Sequence, residues 1–491
     1  MEKSLRKKDL FIGYRDKFFQ EVINNLSANI DICQLLSSPS ADKKINTEEG
    51  IYFKYLQRPE DIQQHYADFL NDGIDSVTLE KLYECRVFFN RTLDRIFLNP
   101  LTNRQADQYF FTLVEFWFSY FNKSPRIKTI FFEASPHFPW DVCMFFIAKH
   151  LNIKTYILRR TLINDCILFD EDFRMNKQRI VRFEKSFTGG FEIDDLLALY
   201  KKESVWRKTS IDNQVNISKA KNSSLYLLPY RVVARIKIIF NEISNAKGQY
   251  FKLSKYYYFT FIIKRFFQQR RLLKNWEENT KDIPSDAPFV YITLHFQPER
   301  STDPEAGIFS QQILAIKLLL KILPEDWYIV VKEHPRQNIS EWPNLRRLHY
   351  RSHENYQEIF KLPRVIPVSV NTPSAELISS CSLIASCTGS VLWEALLQGK
   401  PSIAFSATWH SDCKSSPSIY DIEANPLILN QLLTKDKSEV LEDMEDFLKK
   451  NFSMFVNASN SDEYKQQSKL SDKLLISNLS GAIDYIIEND S

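Results

Sequence analysis

Glycine is scarce in this chain, 10 of 491 residues, against about 7% in an average protein. The shortage excludes glycine-rich flexible linkers. It also means that a retained glycine marks a backbone position needing positive φ or close approach. Paired cysteines are missing too: the seven at 33, 85, 143, 166, 381, 387 and 413 form no Cys-x-x-Cys, and His410 with Cys413 has no second pair to complete a zinc site. No metal is assigned, and a reduced, cytosolic compartment is expected. No run reaches the roughly 18 to 20 apolar residues that span a bilayer, and the charged start Met1-Glu-Lys-Ser-Leu-Arg-Lys-Lys8 lacks a secretory apolar segment. An excess of one charge sign is absent as well. Against 64 basic residues stand 61 acidic ones, a net charge of +3, so no global field for nucleic acid exists.

What the chain does have is 44% hydrophobic and 14% aromatic residues, enough for two or three packed domains at a prior of about 150 residues each. Residues 1–125 read as mostly helical, with amphipathic stretches at 62–70 and 104–121. Thr129–Phe132 reads as a buried strand, Val142–Leu151 as a helix and Lys154–Leu158 as the next strand, a βαβ unit. Its first strand-to-helix loop carries Glu133, His137 and Asp141. Residues 221–274 hold twelve Lys or Arg against one acid, Glu242, interleaved with tyrosine and phenylalanine. They read as one or two helices closing the first domain. Such a stretch could rest on an anionic membrane surface or grip an acidic glycan; a solvated basic face with an aromatic core behind it is the structural alternative. The polar 277–288 segment, with Pro284 and Pro288, reads as a linker.

From Phe289 the pattern is regular: strands at 289–294, 327–332, 365–368, 382–386 and 402–405, with helices at 309–321, 374–381 and 391–398. Alternation of this length implies a parallel sheet with right-handed crossovers. The expected domains are 1–280, 288–430 and a helical tail over 431–491.

Ligands bind open α/β sheets at the carboxyl ends of the strands, and three segments place polar groups there. In Ser386-Cys-Thr-Gly-Ser-Val-Leu-Trp-Glu394 a strand passes through Thr388, Gly389 and Ser390 into a helix. Its first amides and hydroxyls can cradle a phosphate, and Glu394, one turn on, can accept from a ribose diol. An ordinary N-cap with a solvated glutamate is the alternative. Glu333-His334-Pro335 closes another strand. There the imidazole can donate to a phosphate, or it can simply be part of a hydrogen-bonded loop. His295-Phe-Gln-Pro-Glu299 opens a long polar loop, so that His295, Gln297 and Glu299 either border the ligand or cap the next helix. Glu133, His137 and Asp141, beside Phe138, Pro139 and Trp140, offer a desolvated general base or nucleophile; an N-cap aspartate with a satisfied histidine is the alternative. Asp170-Glu-Asp172 reads as a solvated acidic turn, and Gly399-Lys-Pro401 as a helix stop.

The segments Tyr291-Ile-Thr-Leu-His-Phe-Gln-Pro-Glu299, Val331-Lys-Glu-His-Pro335 and Ser386–Ala395 with Gly399-Lys-Pro401 resemble the bacterial capsule polysaccharide biosynthesis and export family, which includes Kdo transferases of GT-B type. The Glu133–Asp141 loop and residues 148–154 are similar to related surface-polysaccharide proteins. The resemblance covers roughly residues 128–170 and 288–406. It implies an α/β, GT-B-like architecture: two Rossmann-like domains facing across a cleft, with a helical N-terminal region and a helical C-terminal tail. It further implies a nucleotide-sugar donor in the C-terminal domain, a glycan or lipid-linked acceptor in the N-terminal one, and no cofactor beyond the donor. His334 would contact the donor phosphate. Thr388, Gly389 and Ser390 would hold phosphate, with Glu394 near the ribose. The family's additional arginine and aspartate-glycine motifs are not found cleanly here. A nucleotide-sugar epimerase or hydrolase, or a non-catalytic assembly protein, are the alternatives.

Overall fold

The computed structural model describes residues 8–12, 17–26, 31–35, 51, 55–70, 73–93, 101–123, 127–163, 165–174, 179–189, 194, 255–335, 337, 350–406, 408–459 and 470–489. Within these, eleven strands follow one another along the chain: β1 (Lys8–Ile12), β2 (Asp31–Leu35), β3 (Ile127–Phe132), β4 (Lys154–Arg160), β5 (Cys166–Asp170), β6 (Phe289–Thr293), β7 (Tyr328–Lys332), β8 (Val365–Val368), β9 (Leu383–Ser386), β10 (Ser402–Ala404) and β11 (Val456–Asn457). The chain divides into two compact units. The described residues up to 194 and those from 448 onward form the first, and 255–447 form the second.

The first unit's sheet runs β11-β5-β4-β3-β1-β2. Strands β2, β1, β3 and β4 are parallel, while β5 and β11 add antiparallel edges. Alternation along each strand supplies both faces. Phe131, Tyr156, Leu158 and Phe169 pack with Phe18, Phe19 and Val22 of helix Lys17–Asn24 and with Leu475, Leu479 and Ile483 of helix Asp472–Asn489, whereas Phe132 turns the other way to Phe145 of helix Pro139–His150. A sheet covered on both faces favours such apolar strands.

Two features of this unit depart from the sequence reading. Strands β1 and β2 lie in the stretch read as mostly helical, their apolar residues too few and too close to charges to stand out. The tail read as a separate region over 431–491 instead returns β11 and helix Asp472–Asn489 to the first unit.

In the second unit all five strands are parallel, in the order β8-β7-β6-β9-β10. Counted from β6, that is the 3-2-1-4-5 order of nucleotide-binding sheets, and chain direction across the sheet reverses between β6 and β9. Tyr291, Val330, Ile366, Ile384 and Ala404 share one buried face with Leu377, Ile378, Leu392 and Ala395 from helices Ser374–Ser380 and Ser390–Leu397. The helix that ends the basic stretch, Lys255–Glu278, also belongs to this unit rather than to the first. Trp276 is buried, donates its indole N–H to the Val368 carbonyl at 2.9 Å and lies against Tyr356. Residues 221–254 lie outside the described residues. No helix among the described residues is long and apolar enough to cross a membrane.

Candidate functional site

The reversal between β6 and β9 brings the loops after both strands together at their carboxyl ends. Helix Ser390–Leu397 starts there because Gly389 serves as its N-cap and Val391, Leu392, Trp393, Ala395 and Leu396 are buried against the sheet. It stops where Gly399 takes φ +73°, with the Lys400 amide donating to the Ala395 carbonyl at 2.9 Å, the left-handed ending that favours glycine. Gly389 is needed for a different reason. A β-carbon there would sit 2.8 Å from Ser386 Oγ and 3.1 Å from His295 Cε1, so a larger residue would push apart the two strand ends.

His295 lies at the centre. It is 6% exposed, its Nε2 is 2.7 Å from Ser386 Oγ, and the Thr388 amide donates to the same nitrogen at 3.4 Å. Burial first, and then the charge of Arg351, push its pKa down to about 4, so the ring is neutral at physiological pH. The His295 main chain is also pinned: its amide donates to Gln312 Oε1 at 2.5 Å, and its carbonyl accepts from Arg351 at 2.9 Å. Sequence reading left this residue between a ligand border and a helix cap; the structure makes it the joint between β6 and β9.

Glu333 and Arg351 were not assigned roles by sequence reading, yet they hold the β6 and β7 ends in register. Glu333 is fully buried. Its carboxylate accepts from Arg351 Nε at 2.5 Å and Nη2 at 3.2 Å, from the Tyr356 hydroxyl at 2.7 Å and from the His334 amide at 2.7 Å. Arg351 also donates to Gln297 Oε1 at 2.6 Å. A buried charge pair is tolerable only when nearly every donor and acceptor is used, and here they are. The pair aims His334, half-buried with its ring 5.5 Å from Phe296, because Glu333 fixes the His334 main chain.

The other expected ligand residues divide. Ser390 and Glu394 sit together, half-buried, with the Ser390 hydroxyl donating to Glu394 Oε1 at 2.8 Å. Thr388 does not offer its hydroxyl hydrogen to a ligand, since that hydrogen goes to the Ser301 carbonyl at 2.7 Å. Gln297 is saturated within the protein. Its amide hydrogens go to Asp303 Oδ2 and the Ser310 carbonyl, and its oxygen accepts from Arg351 and Gln312, so it holds the loop. Glu299 is exposed at the turn where its carbonyl accepts from the Thr302 and Asp303 amides.

Glu133, His137 and Asp141 fall in the first unit, the first two on the loop after β3 and Asp141 in the helix that follows. There too the chain direction reverses, between β1 and β3. His137 Nδ1 is 2.8 Å from the Ser135 carbonyl and its ring lies on Phe138. Asp141 is buried in the first turn of helix Pro139–His150, and Phe138 stacks on Trp140. The acidic turn is a correction. Asp170 and Asp172 are buried rather than solvated, because each has an arginine: Arg159 Nε lies 2.6 Å from Asp170, and Arg174 Nη2 lies 2.6 Å from Asp172.

No family model matches this sequence, and no curated protein matches it. Among solved structures, it is similar to the β-Kdo 2,7 transferase KpsC of Thermosulfurimonas dismutans, at 12% identity over 69% of this chain and 81% of that one, TM-score 0.26. The UDP-GlcNAc 2-epimerase of Methanocaldococcus jannaschii, in complex with UDP-GlcNAc and UDP, gives 12% identity over 90% of this chain and 99% of that one, TM-score 0.23. The corresponding epimerase of Neisseria meningitidis, bound to UDP-GlcNAc, gives 13% over 98% and 100%, TM-score 0.20.

Proposed function

We propose that the protein is a glycosyltransferase of GT-B type, moving a sugar from a nucleotide-activated donor to a glycan or lipid-linked acceptor in the assembly of a surface polysaccharide. The observation that carries this reading is the β6/β9 reversal. A glycine-started helix, a buried neutral histidine and a half-buried glutamate meet there, at the carboxyl edge of a 3-2-1-4-5 parallel sheet. The motif resemblance to capsule polysaccharide proteins supplies the sugar-transfer part.

In this account the Ser390 and Val391 amides at the start of helix Ser390–Leu397, which a helix leaves without main-chain partners, take the donor phosphate together with His334, while the Leu392 amide donates to the Gly389 carbonyl. Glu394 takes the ribose, its Oε1 already oriented by Ser390. Negative charge developing on the departing nucleotide is stabilised by groups fixed in advance, so little reorganisation is needed as the bond breaks. The first unit is assigned the acceptor, with Glu133, His137 and Asp141 as its candidate acid–base groups. The reaction needs no resident cofactor or metal in this scheme.

The test is transfer from a panel of CMP-, UDP- and GDP-sugars, with and without an acceptor oligosaccharide. His334→Ala is expected to abolish transfer while the chain stays folded; full activity in that variant contradicts the donor site. Product formed from the donor alone, with no acceptor, points instead to an epimerase or hydrolase.

A further inference from the structure

The C-terminal part of helix Lys255–Glu278 carries two opposed faces. Gln269, Leu272 and Trp276 are buried, and Trp276 anchors the helix through the Val368 carbonyl and its ring contacts with Tyr356 and Phe360. Phe267, Arg270, Arg271 and Lys274 are exposed. Their spacing of i, i+3, i+4 and i+7 puts them in one stripe on the side away from the buried three. A solvated basic helix turns its aromatic residues inward; here Phe267, 54% exposed, stands in the cationic stripe.

The charge around that stripe has one sign. From Ile243 through Trp276 the sequence has eight Lys or Arg and no Asp or Glu, in a chain whose net charge is only +3. The first acids met are Glu277, which accepts from the Val370 amide at 3.0 Å, and Glu278, which lies 3.5 Å from Lys274. The Lys274–Glu278 pair is 73% and 59% exposed, and such pairs hold weakly, so Lys274 can exchange Glu278 for another anion. Cations alone fit any polyanion; the phenylalanine narrows the choice. At an anionic bilayer a ring enters the boundary between headgroups and acyl chains, while guanidinium and ammonium groups stay at the phosphates on their long stems. A polyanion with no apolar layer would use the cations and leave the ring in water.

We propose that the stripe of Phe267, Arg270, Arg271 and Lys274 docks the second unit on an anionic lipid surface. The helix is not apolar enough to cross a bilayer; it lies along the surface, held from behind by Trp276. None of the four side chains takes part in the β6/β9 site, so docking and nucleotide binding are separable.

Co-sedimentation of the full chain with lipid vesicles tests it. Phosphatidylcholine vesicles containing phosphatidylglycerol are expected to pellet the protein, phosphatidylcholine alone is not, and high salt is expected to release it. A cation near an anionic surface is worth about fivefold in affinity, so the triple variant Arg270→Gln, Arg271→Gln, Lys274→Gln is expected to bind at least about tenfold more weakly. Its melting temperature is expected to stay that of wild type, because all three side chains are exposed. Phe267→Ser is expected to weaken binding by less than the triple variant does. Lys449→Gln with Lys450→Gln, which removes two exposed cations at the end of helix Lys437–Lys450, is expected to pellet as wild type. Wild type left in the supernatant with anionic vesicles, equal binding with and without phosphatidylglycerol, or a smaller loss in the triple variant overturns the proposal and leaves the nucleotide site untouched. Wild type that ignores the vesicles but binds single-stranded DNA overturns it in favour of nucleic acid.

Discussion

Each unit buries an arginine–carboxylate pair, and the two pairs do different work. In the second unit Glu333 and Arg351 are both buried, and between them they bond to the β6 loop, the β7 loop, Tyr356 and the main chain of His334. In the first unit Asp170 is fully buried, but Arg159 reaches it from a partly exposed position across the antiparallel β4–β5 pair. The remaining bonds to Asp170 come from the Asp172 and Arg179 amides of its own hairpin. One pair therefore ties separate strand ends at the carboxyl edge of the sheet; the other staples a local turn. Desolvation leaves its mark on the second kind, where burial, opposed by Arg159, pushes the Asp170 pKa up to about 6. The lesson is that a buried ion pair points to a site when it joins elements distant in sequence, and to the frame when it closes one hairpin.

The largest effect that would break this comparison comes from Arg351→Ala. It strands Glu333 without its counter-charge, so a loss of about 3 to 5 kcal/mol in urea unfolding is expected, together with loss of nucleotide protection. Next is the acid response of Asp170. Its folded pKa of about 6 lies above the ordinary 3.8 of an aspartate, so between those values the folded state holds more proton than the unfolded one. Its contribution is full below about pH 4 and is lost as pH rises through about 6, by on the order of 3 kcal/mol at most. Asp170→Asn is expected to flatten that slope in unfolding measured across the window, with nucleotide binding unchanged. A variant that kept the slope would remove Asp170 as its source.

Gly389→Ala is expected to cost about 1 to 3 kcal/mol by overpacking Ser386 and His295, and to abolish nucleotide binding, as calorimetry would read. Smallest in stability is Glu394→Gln, half-buried and, among the described residues, bonded only to Ser390. A change within about 0.5 kcal/mol is expected, with affinity for a nucleoside monophosphate down roughly tenfold and affinity for inorganic pyrophosphate unchanged.

Much of the second unit was legible in the sequence. Its strands are short apolar runs ended by polar loops, and β8 and helix Ser374–Ser380 fall close to their expected bounds. The three motif segments mark three strand ends that the 3-2-1-4-5 order brings to one edge. Which residues would face a ligand was less legible, since a glutamine such as Gln297 reads the same whether its bonds go to protein or solvent. Arg351 was invisible because it sits eighteen positions after Glu333 in a basic run, with no periodicity to single it out. The partner of Asp170 was hidden because pairing across strands depends on register, and register is not written in local composition; Arg174, two positions after Asp172, pairs with it locally.

The most direct test of the central claim is thermal unfolding of the full chain and of Gly389→Ala with CMP, UDP, GDP and CDP-glycerol. The β6/β9 site predicts that at least one of these raises the melting temperature of the wild type and none raises that of the variant. Wild type unmoved by all four, or a variant protected as well as wild type, contradicts it.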